Sequence, residues 1–312
     1  MIRRMFAPAS IAFSLSILNA TGAMATAQRT FVASTGNDAN PCSIIQPCRG
    51  FARAIAQTTA TGEVIVLDSA GYGSVTIGKS VAIIAPKGVY AGISVFGGVG
   101  VVVTGNPTAS VLLRGLTLNA QGGTIGISFD QGSEIAVEDC ENSGFSIYGI
   151  LVSATNSTVS IGSTVLRNNH SAIVAQPDAN TRTFIDEIYV SGYQGEGISV
   201  GPGTATVSNS VIANGGPNAI GVLSSTISAN SDVMVTRSVI TGSQYGVETF
   251  SDFGNSTRMV VDGSAINLVT SAAFSFNNGG GTEIIYSPGN NTIGFNNGIV
   301  TGGVLTTPCC LH

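Results

Sequence analysis

The sequence predicts an all-β protein: a right-handed parallel β-helix, or solenoid, of about ten coils with an N-terminal helical cap. Three observations carry this. A small residue followed by a large apolar one recurs at Gly126-Ile127, Gly149-Ile150, Ala172-Ile173, Gly197-Ile198, Gly221-Val222, Gly246-Val247 and Ala273-Phe274, at steps of 23 to 27 residues. A second column keeps the same period through Val165-Leu166, Ile188-Tyr189, Val211-Ile212, Val239-Ile240, Ala265-Ile266 and Thr292-Ile293. Within each unit the polarity alternates with period two, as in "TVSIG" and "VMVTRSVI", between turns of Gly, Asn, Ser or Asp.

Repeats of this length signal a solenoid. The Leu-x-Leu and Asn signature of leucine-rich repeats is missing, and the abundance of Gly and β-branched residues argues against helical repeats. One unit reads "YGILVS", "TVSI", "TVLRN": three short strands per coil. Stacked coils bring like side chains together at the ~4.8 Å spacing of neighbouring strands, which is why Ile follows Ile and Val follows Val. Asn119, Asn142, Asn168 and Asn214 fall near turns. Two readings stand for them: a stacked amide ladder and tolerance of left-handed turn geometry.

A stack of coils exposes its interior and unpaired strand edges at its ends, so a cover is expected there. "RGFARAIAQ" places Phe51, Ala54 and Ile55 on one side of a short helix. Ahead of it, "PCSIIQPC" sets Cys42 and Cys48 in a short proline-bounded loop where a local disulfide is geometrically easy. Cys140 sits among strand residues and reads as a buried small hydrophobe. The tail "PCCLH", with Cys309 and Cys310, admits a vicinal disulfide, an intermolecular link, a metal cluster or a frayed terminus.

Residues 1–27 read as an export signal: Arg3 and Arg4, then an apolar stretch, then the small residues "ATA". No later segment is long and apolar enough to span a bilayer. The expected organisation is a signal peptide over 1–27, then a strand, cysteine loop and cap helix over 28–62. The β-helix follows over 63–300 and a tail over 301–312. The chain carries a formal charge of −5 and only 9% charged residues, and cleavage after 27 leaves it more acidic. Nucleic acid, which needs a basic face, is therefore not an expected partner.

The stretch "FVASTGNDANPCSIIQPCRGFARAIAQTTATGEVIVLDSAGYGSVTIGKSVAIIA" resembles the amino-terminal cap and first coil of bacterial secreted β-helix proteins of the pectin-lyase-like superfamily. Gly36, Asp38, Asn40, Pro41, Gly62, Tyr72 and Gly73 stand at matching places, whereas the two cysteines and Glu63 depart from the pattern. The carboxy-terminal "SPGNNTIGFNNGIVTGG" is similar to the usual last coil. The resemblance implies a bacterial protein, secreted or held in the periplasm or cell envelope, and a ligand groove along one parallel sheet. It is silent on chemistry, because this fold carries lyases, hydrolases, esterases and adhesins.

If the Ile127 column points inward, Ser128, Leu151, Val174, Ser199, Leu223, Glu248 and Ser275 point outward. One carboxylate in seven positions does not supply the acidic calcium ligands of pectate lyases. The paired aspartates and Gly-His-Gly segment of polygalacturonases are also absent, so no metal or other cofactor is expected. The remaining catalytic candidates are Glu141, Arg167, His170 and Glu187. These read either as an acid/base group with a cation for an anionic sugar or as an exposed salt-bridge ladder. Binding candidates are Glu248 and the tyrosines that precede strands, Tyr148, Tyr193 and Tyr245, which either stack on sugars or fill the interior. Two functions follow. One is a non-catalytic surface for polysaccharide or a cell-surface glycan; the other is a carbohydrate-active enzyme, lyase or hydrolase, with a non-standard site.

Overall fold

The computed structural model describes residues 26–306. The expected leader therefore lies outside the described residues except for Thr26 and Ala27, as do Cys309 and Cys310. Three sheets form the wall of a parallel β-helix. Sheet A has eleven strands, from Ala27–Val32 to Thr282–Tyr286; sheet B has ten, from Ala70–Gly71 to Thr292–Gly294; sheet C has ten, from Val75–Ile77 to Val300–Thr301. The chain visits them in the order A, B, C, so neighbours within a sheet come from successive coils and pair in parallel. The ten strands each of sheets B and C give nine coil-to-coil steps, close to the ten coils that the period predicts.

The first repeat column is a ladder of partners: Ile127, Ile150, Ile173, Ile198, Val222, Val247 and Phe274 face one another in successive strands of sheet C. All are buried, and they form one contiguous core with the inward residues of sheets A and B. The small residue before each is sterically required. A Cβ on Gly149 would sit 2.6 Å from the Ala172 carbonyl oxygen and 2.8 Å from Asn169 Nδ2.

The second column holds with one slip. In sheet B, Leu166 pairs with Val190 and Val190 with Ile212, so the repeat pair is Tyr189-Val190 and not Ile188-Tyr189. Val190 is buried, whereas Tyr189 faces out, with the Arg167 guanidinium 5.8 Å from its ring centroid.

No asparagine ladder forms from the four expected residues, because they occupy three different columns. Asn119 aligns with Ser143, Asn142 aligns with Leu118 and Leu166, and Asn168 and Asn214 take left-handed turns. Buried Asn142 instead donates through Nδ2 to the Gly149 carbonyl at 2.8 Å. A hydroxyl ladder runs at the turn between sheets A and B. Thr164 Oγ1 accepts from the Cys140 N–H, Ser210 Oγ from Ile188, Ser238 Oγ from Ser210 and Ser264 Oγ from Ser238, at 3.2–3.4 Å. Each hydroxyl thus satisfies a buried backbone donor of the coil below. Cys140 is buried in this column as a free thiol.

At the N-terminal end, Cys42 and Cys48 form the expected disulfide, with Cα atoms 4.6 Å apart. Asp38 Oδ1 accepts the N–H groups of Arg49 (2.8 Å) and Gly50 (3.0 Å), fixing the loop exit. The helix Phe51–Gln57 follows and buries Phe51, Ala54 and Ile55, the side that the spacing predicts, along with Gln57. In chain order it stands where an earlier turn would have its sheet C strand, beside Val75–Ile77, and Phe51 packs on Tyr72 with ring centroids 5.2 Å apart.

Two stability outcomes follow from these contacts. Ser238→Ala strips the acceptor from a buried N–H and should cost about 1–3 kcal/mol in chemical denaturation. Opening the short Cys42–Cys48 loop by Cys42→Ser with Cys48→Ser should cost about 2 kcal/mol by its loop-closure entropy. A denaturation midpoint unchanged in either variant would remove that interaction from the account.

Candidate functional site: the outer face of sheet C

The strands of sheet C alternate, so each places one mid-strand side chain outside the wall. These line up as Thr76, Val102, Ser128, Leu151, Val174, Ser199, Leu223, Glu248, Ser275 and Thr301. Nine spacings of ~4.8 Å make this column ~43 Å long. Between its exposed ends, Thr76 and Thr301, the column is shaded: Ser128, Val174, Ser199, Glu248 and Ser275 are all buried although they project outward. A side chain on an outer face is buried only when its neighbours overhang it, so the column is the floor of a groove.

One edge of the groove is the column Ile125, Tyr148, Ser171, Glu196, Ile220, Tyr245 and Ala272. Tyr148 and Tyr245 are both half-buried there, four strands or ~19 Å apart. Ser171 Oγ donates to Glu196 Oε2 at 2.6 Å. On the opposite side Ser128 Oγ donates to Asp130 Oδ1 at 2.5 Å, and Asn277 Nδ2 reaches Glu248 Oε1 at 3.4 Å.

The electrostatics of this face are one-signed. None of the ten strands of sheet C contains Lys or Arg; Glu196 and Glu248 are their only charged residues. Glu248 is 5% exposed. Burial raises its carboxyl above the ordinary range, Ser275 and Asn277 pull it back, and the Glu196 charge adds to the rise. Glu283 is not part of this face: it shares the inward side of sheet A with Ile285, and its carboxyl, raised by burial, accepts the Ser251 N–H at 3.0 Å inside the wall.

The other sequence candidates lie elsewhere. Arg167 Nη1 donates to Glu141 Oε1 at 2.7 Å on sheet B, with both side chains nearly half exposed. The two meet through a register different from the one that the asparagines suggest: Glu141 pairs with Val165, and Arg167 with Ser143. Their carboxylate and guanidinium are spent on each other at an exposed site, where such pairs contribute little. His170, exposed on the turn into sheet C, and Glu187, in a left-handed turn after sheet A, stand at opposite ends of the sheet B strands. The four are therefore not one site. Of the two readings of Tyr193, its placement agrees with the interior one. It is wholly buried, and desolvation raises its phenol to about 12.

A pocket of about 700 Å³ lies at the A–B corner, lined by Pro86, Lys87, Arg114, Glu138 and Asp139. Arg114 is already paired with Glu138 there, at 2.5 Å, and the pocket faces away from sheet C. Among the described residues, no three His, Cys, Asp or Glu side chains come close enough to hold a metal ion.

Sequence reasoning missed Glu196 and Asn277. Glu196 was readable, since it precedes Gly197-Ile198 at the offset that Tyr148 and Tyr245 share.

The raised Glu248 carboxyl has a signed consequence. A carboxyl whose folded pKa is raised lends stability below its ordinary value of ~4.3 and withdraws it as pH rises through the folded value. Glu248→Gln should therefore melt above the wild type at pH 7 and lose that advantage by pH 4. A wild type that gains on the variant as pH rises would mean that burial does not dominate at this site.

No protein-family model matches the sequence, and no curated protein does. Among solved structures, the fold is similar to pectate lyase Pel9A, with a TM-score of 0.58 and 16% identity, covering 87% of this chain and 80% of that one. It is also similar to the enzymatically active domain of bacteriophage CBA120 tailspike protein 2, with a TM-score of 0.58 and 10% identity over 87% of this chain. The match spans 47% of that domain. A third likeness is to a GH136 lacto-N-biosidase from Eubacterium ramulus, with a TM-score of 0.53 and 9% identity, covering 88% and 66% of the two chains. Identities this low speak for architecture alone. The chain is a repeat protein with the parallel β-helix fold of the pectate lyases.

Proposed function

We propose that this is an exported, non-catalytic β-helix protein that lays a polysaccharide or cell-surface glycan along sheet C, on a rigid elongated surface. The observation that carries the reading is the floor of sheet C, shaded from Val102 to Ser275, in which small hydroxyl side chains are interspersed with Leu and Val. Such a floor offers hydrogen bonds to sugar hydroxyls and flat apolar patches to sugar rings, and Tyr148 and Tyr245 extend it along one edge. The pectate lyase and the lacto-N-biosidase, named for the glycans on which they act, share the scaffold and lend the reading support.

Export is supported by the leader-like residues 1–27 and by the Cys42–Cys48 disulfide, a bond that oxidising compartments permit. No helix among the described residues is long and apolar enough to cross a membrane. In this reading the helix Phe51–Gln57 is the lid on the first coil, supported by its place at the N-terminal end and its buried Phe51.

A second reading, a carbohydrate-active enzyme, draws on the raised Glu248 carboxyl and on Glu196 two strands away. Their backbones stand ~9.6 Å apart along the stack. One experiment divides the two. The purified mature chain is incubated with a panel of plant and bacterial glycans and assayed for retention, for new reducing ends and for unsaturated products. Retention without cleavage, weakened several-fold by Tyr245→Ala, is the expected result. Cleavage that Glu248→Gln abolishes would replace the first reading with the second, and a panel with neither outcome would sink both.

A further inference from the structure

The charges of this protein are sorted by face, and the sorting narrows the ligand. From residue 91 to 306 the chain has five basic residues besides His170: Arg114, Arg167, Arg182, Arg237 and Arg258. Every one lies on sheet A, on sheet B or in the turn between them. Three are paired with carboxylates: Arg114 with Glu138, Arg167 with Glu141 and Arg258 with Asp232. Those faces hold nine acidic residues over the same stretch, and arginine pairs with three of them.

Sheet C is different. Asp130, Glu196 and Glu248 border or floor the groove, and Asp178 and Asp252 occupy the turns that leave it. Over the same residues, neither these strands nor the turns entering and leaving them contain a Lys or Arg. The partners of these carboxylates are neutral donors: Ser128 for Asp130, Ser171 for Glu196, and Asn156, Asn180 and Thr181 for Asp178. Glu248 is the most demanding of them. It is more than nine-tenths buried, faces the groove, and is met by neutral donors alone, the Ser275 hydroxyl and the long 3.4 Å contact from Asn277. A buried carboxylate without a cation is a costly arrangement, and an arriving cation relieves it.

We propose that the sheet C groove selects its glycan by charge, taking a polymer of hexosamines with free, protonated amino groups and rejecting polyuronates. This rests on the glycan-binding reading of the groove and adds the class of sugar. An ammonium group donates up to three charge-assisted hydrogen bonds, and the Glu248 and Glu196 carboxylates, each held by neutral donors alone, keep acceptor oxygens for it. A uronate carboxylate entering the same groove meets like charge at every acidic position and no Lys or Arg to receive it, His170 on the turn into sheet C being the one basic group near its edge. A basic peptide would satisfy the carboxylates equally well. The ring-sized Leu and Val patches and the two edge tyrosines favour a sugar over a flexible peptide.

The test uses the purified mature chain and four probes of matched length: a β-1,4-linked glucosamine hexamer, its fully N-acetylated counterpart, a hexagalacturonate and hexalysine. Binding is measured by calorimetry at low and moderate salt. The glucosamine hexamer should bind about tenfold tighter than the acetylated one, the worth of one charge-assisted contact, and the gap should narrow with salt. The galacturonate should not bind. Glu196→Gln with Glu248→Gln should close the gap between the acetylated and free hexamers, whereas Glu134→Gln, on sheet A, should leave it unchanged. Melting curves of both variants verify folding.

Equal affinity for the two hexosamine probes, or galacturonate bound as tightly as glucosamine, would overturn the charge selection and leave the groove as a neutral glycan site. Hexalysine bound as tightly as the glucosamine hexamer would overturn it in favour of a basic peptide. If none of the sugars binds, the glycan reading of the groove falls, and this inference falls with it.

Discussion

Coil-to-coil hydrogen bonding is the constraint from which the rest of this structure follows. Each strand pairs in parallel with the strand one coil before and one coil after it, so a residue's environment is set by the residues above and below it. A side chain inside the wall therefore stacks on its own equivalents, and any change of size is felt by two neighbours at once. This is why the Ile127 column holds Ile for four successive positions before relaxing to Val and Phe near the C-terminal end. It also explains why the adjacent position is Gly or Ala throughout. There the backbone of the next coil passes so close that a larger side chain has nowhere to go.

The same stacking converts single residues into surfaces. A Ser at one turn is an ordinary polar residue, but Thr164, Ser210, Ser238 and Ser264 in one column become a ladder that satisfies the N–H groups of a buried corner. A lone outward Ser or Leu on sheet C means little, whereas ten in register make a groove floor. Function on such a scaffold is a property of columns, and an argument about one residue has to be an argument about its stack. The Arg167–Glu141 contact illustrates the contrast. It joins two coils at an exposed point but continues in neither direction along sheet B, where the equivalent positions carry Ser143, Ser191, Thr117 and Val165.

How far a sequence can be read in this fold depends on how many independent features mark a column. The Ile127 column was legible to the residue, because a small-large pair and a strict period both mark it. The sheet B column slipped by one at Tyr189-Val190, where both neighbours are large and apolar and periodicity alone cannot choose between them. The asparagines misled for a related reason. Asn occurs inside the wall at Asn142, on the surface at Asn119 and in left-handed turns at Asn168 and Asn214, and their spacing does not separate these roles. The groove floor was legible as an alternation but its depth was not. That Glu248 is buried while facing outward depends on neighbours from other coils and on Asn277 after the strand above.

Depth is what gives the single carboxylate of the floor its weight. An exposed Glu on a flat sheet is screened by water and selects nothing. Glu248 is shaded, feels a second carboxylate at Glu196 two strands away and sits on a face whose strands hold no Lys or Arg, so its charge is felt by whatever enters the groove. Sheets A and B carry acidic residues too, but there arginine stands among them and pairs with Glu138, Glu141 and Asp232. The fold itself imposes no such division, since any outward position accepts either sign. A sequence that places its arginines on two faces and leaves the third bare, over some two hundred residues, has set the terms on which a ligand meets that third face.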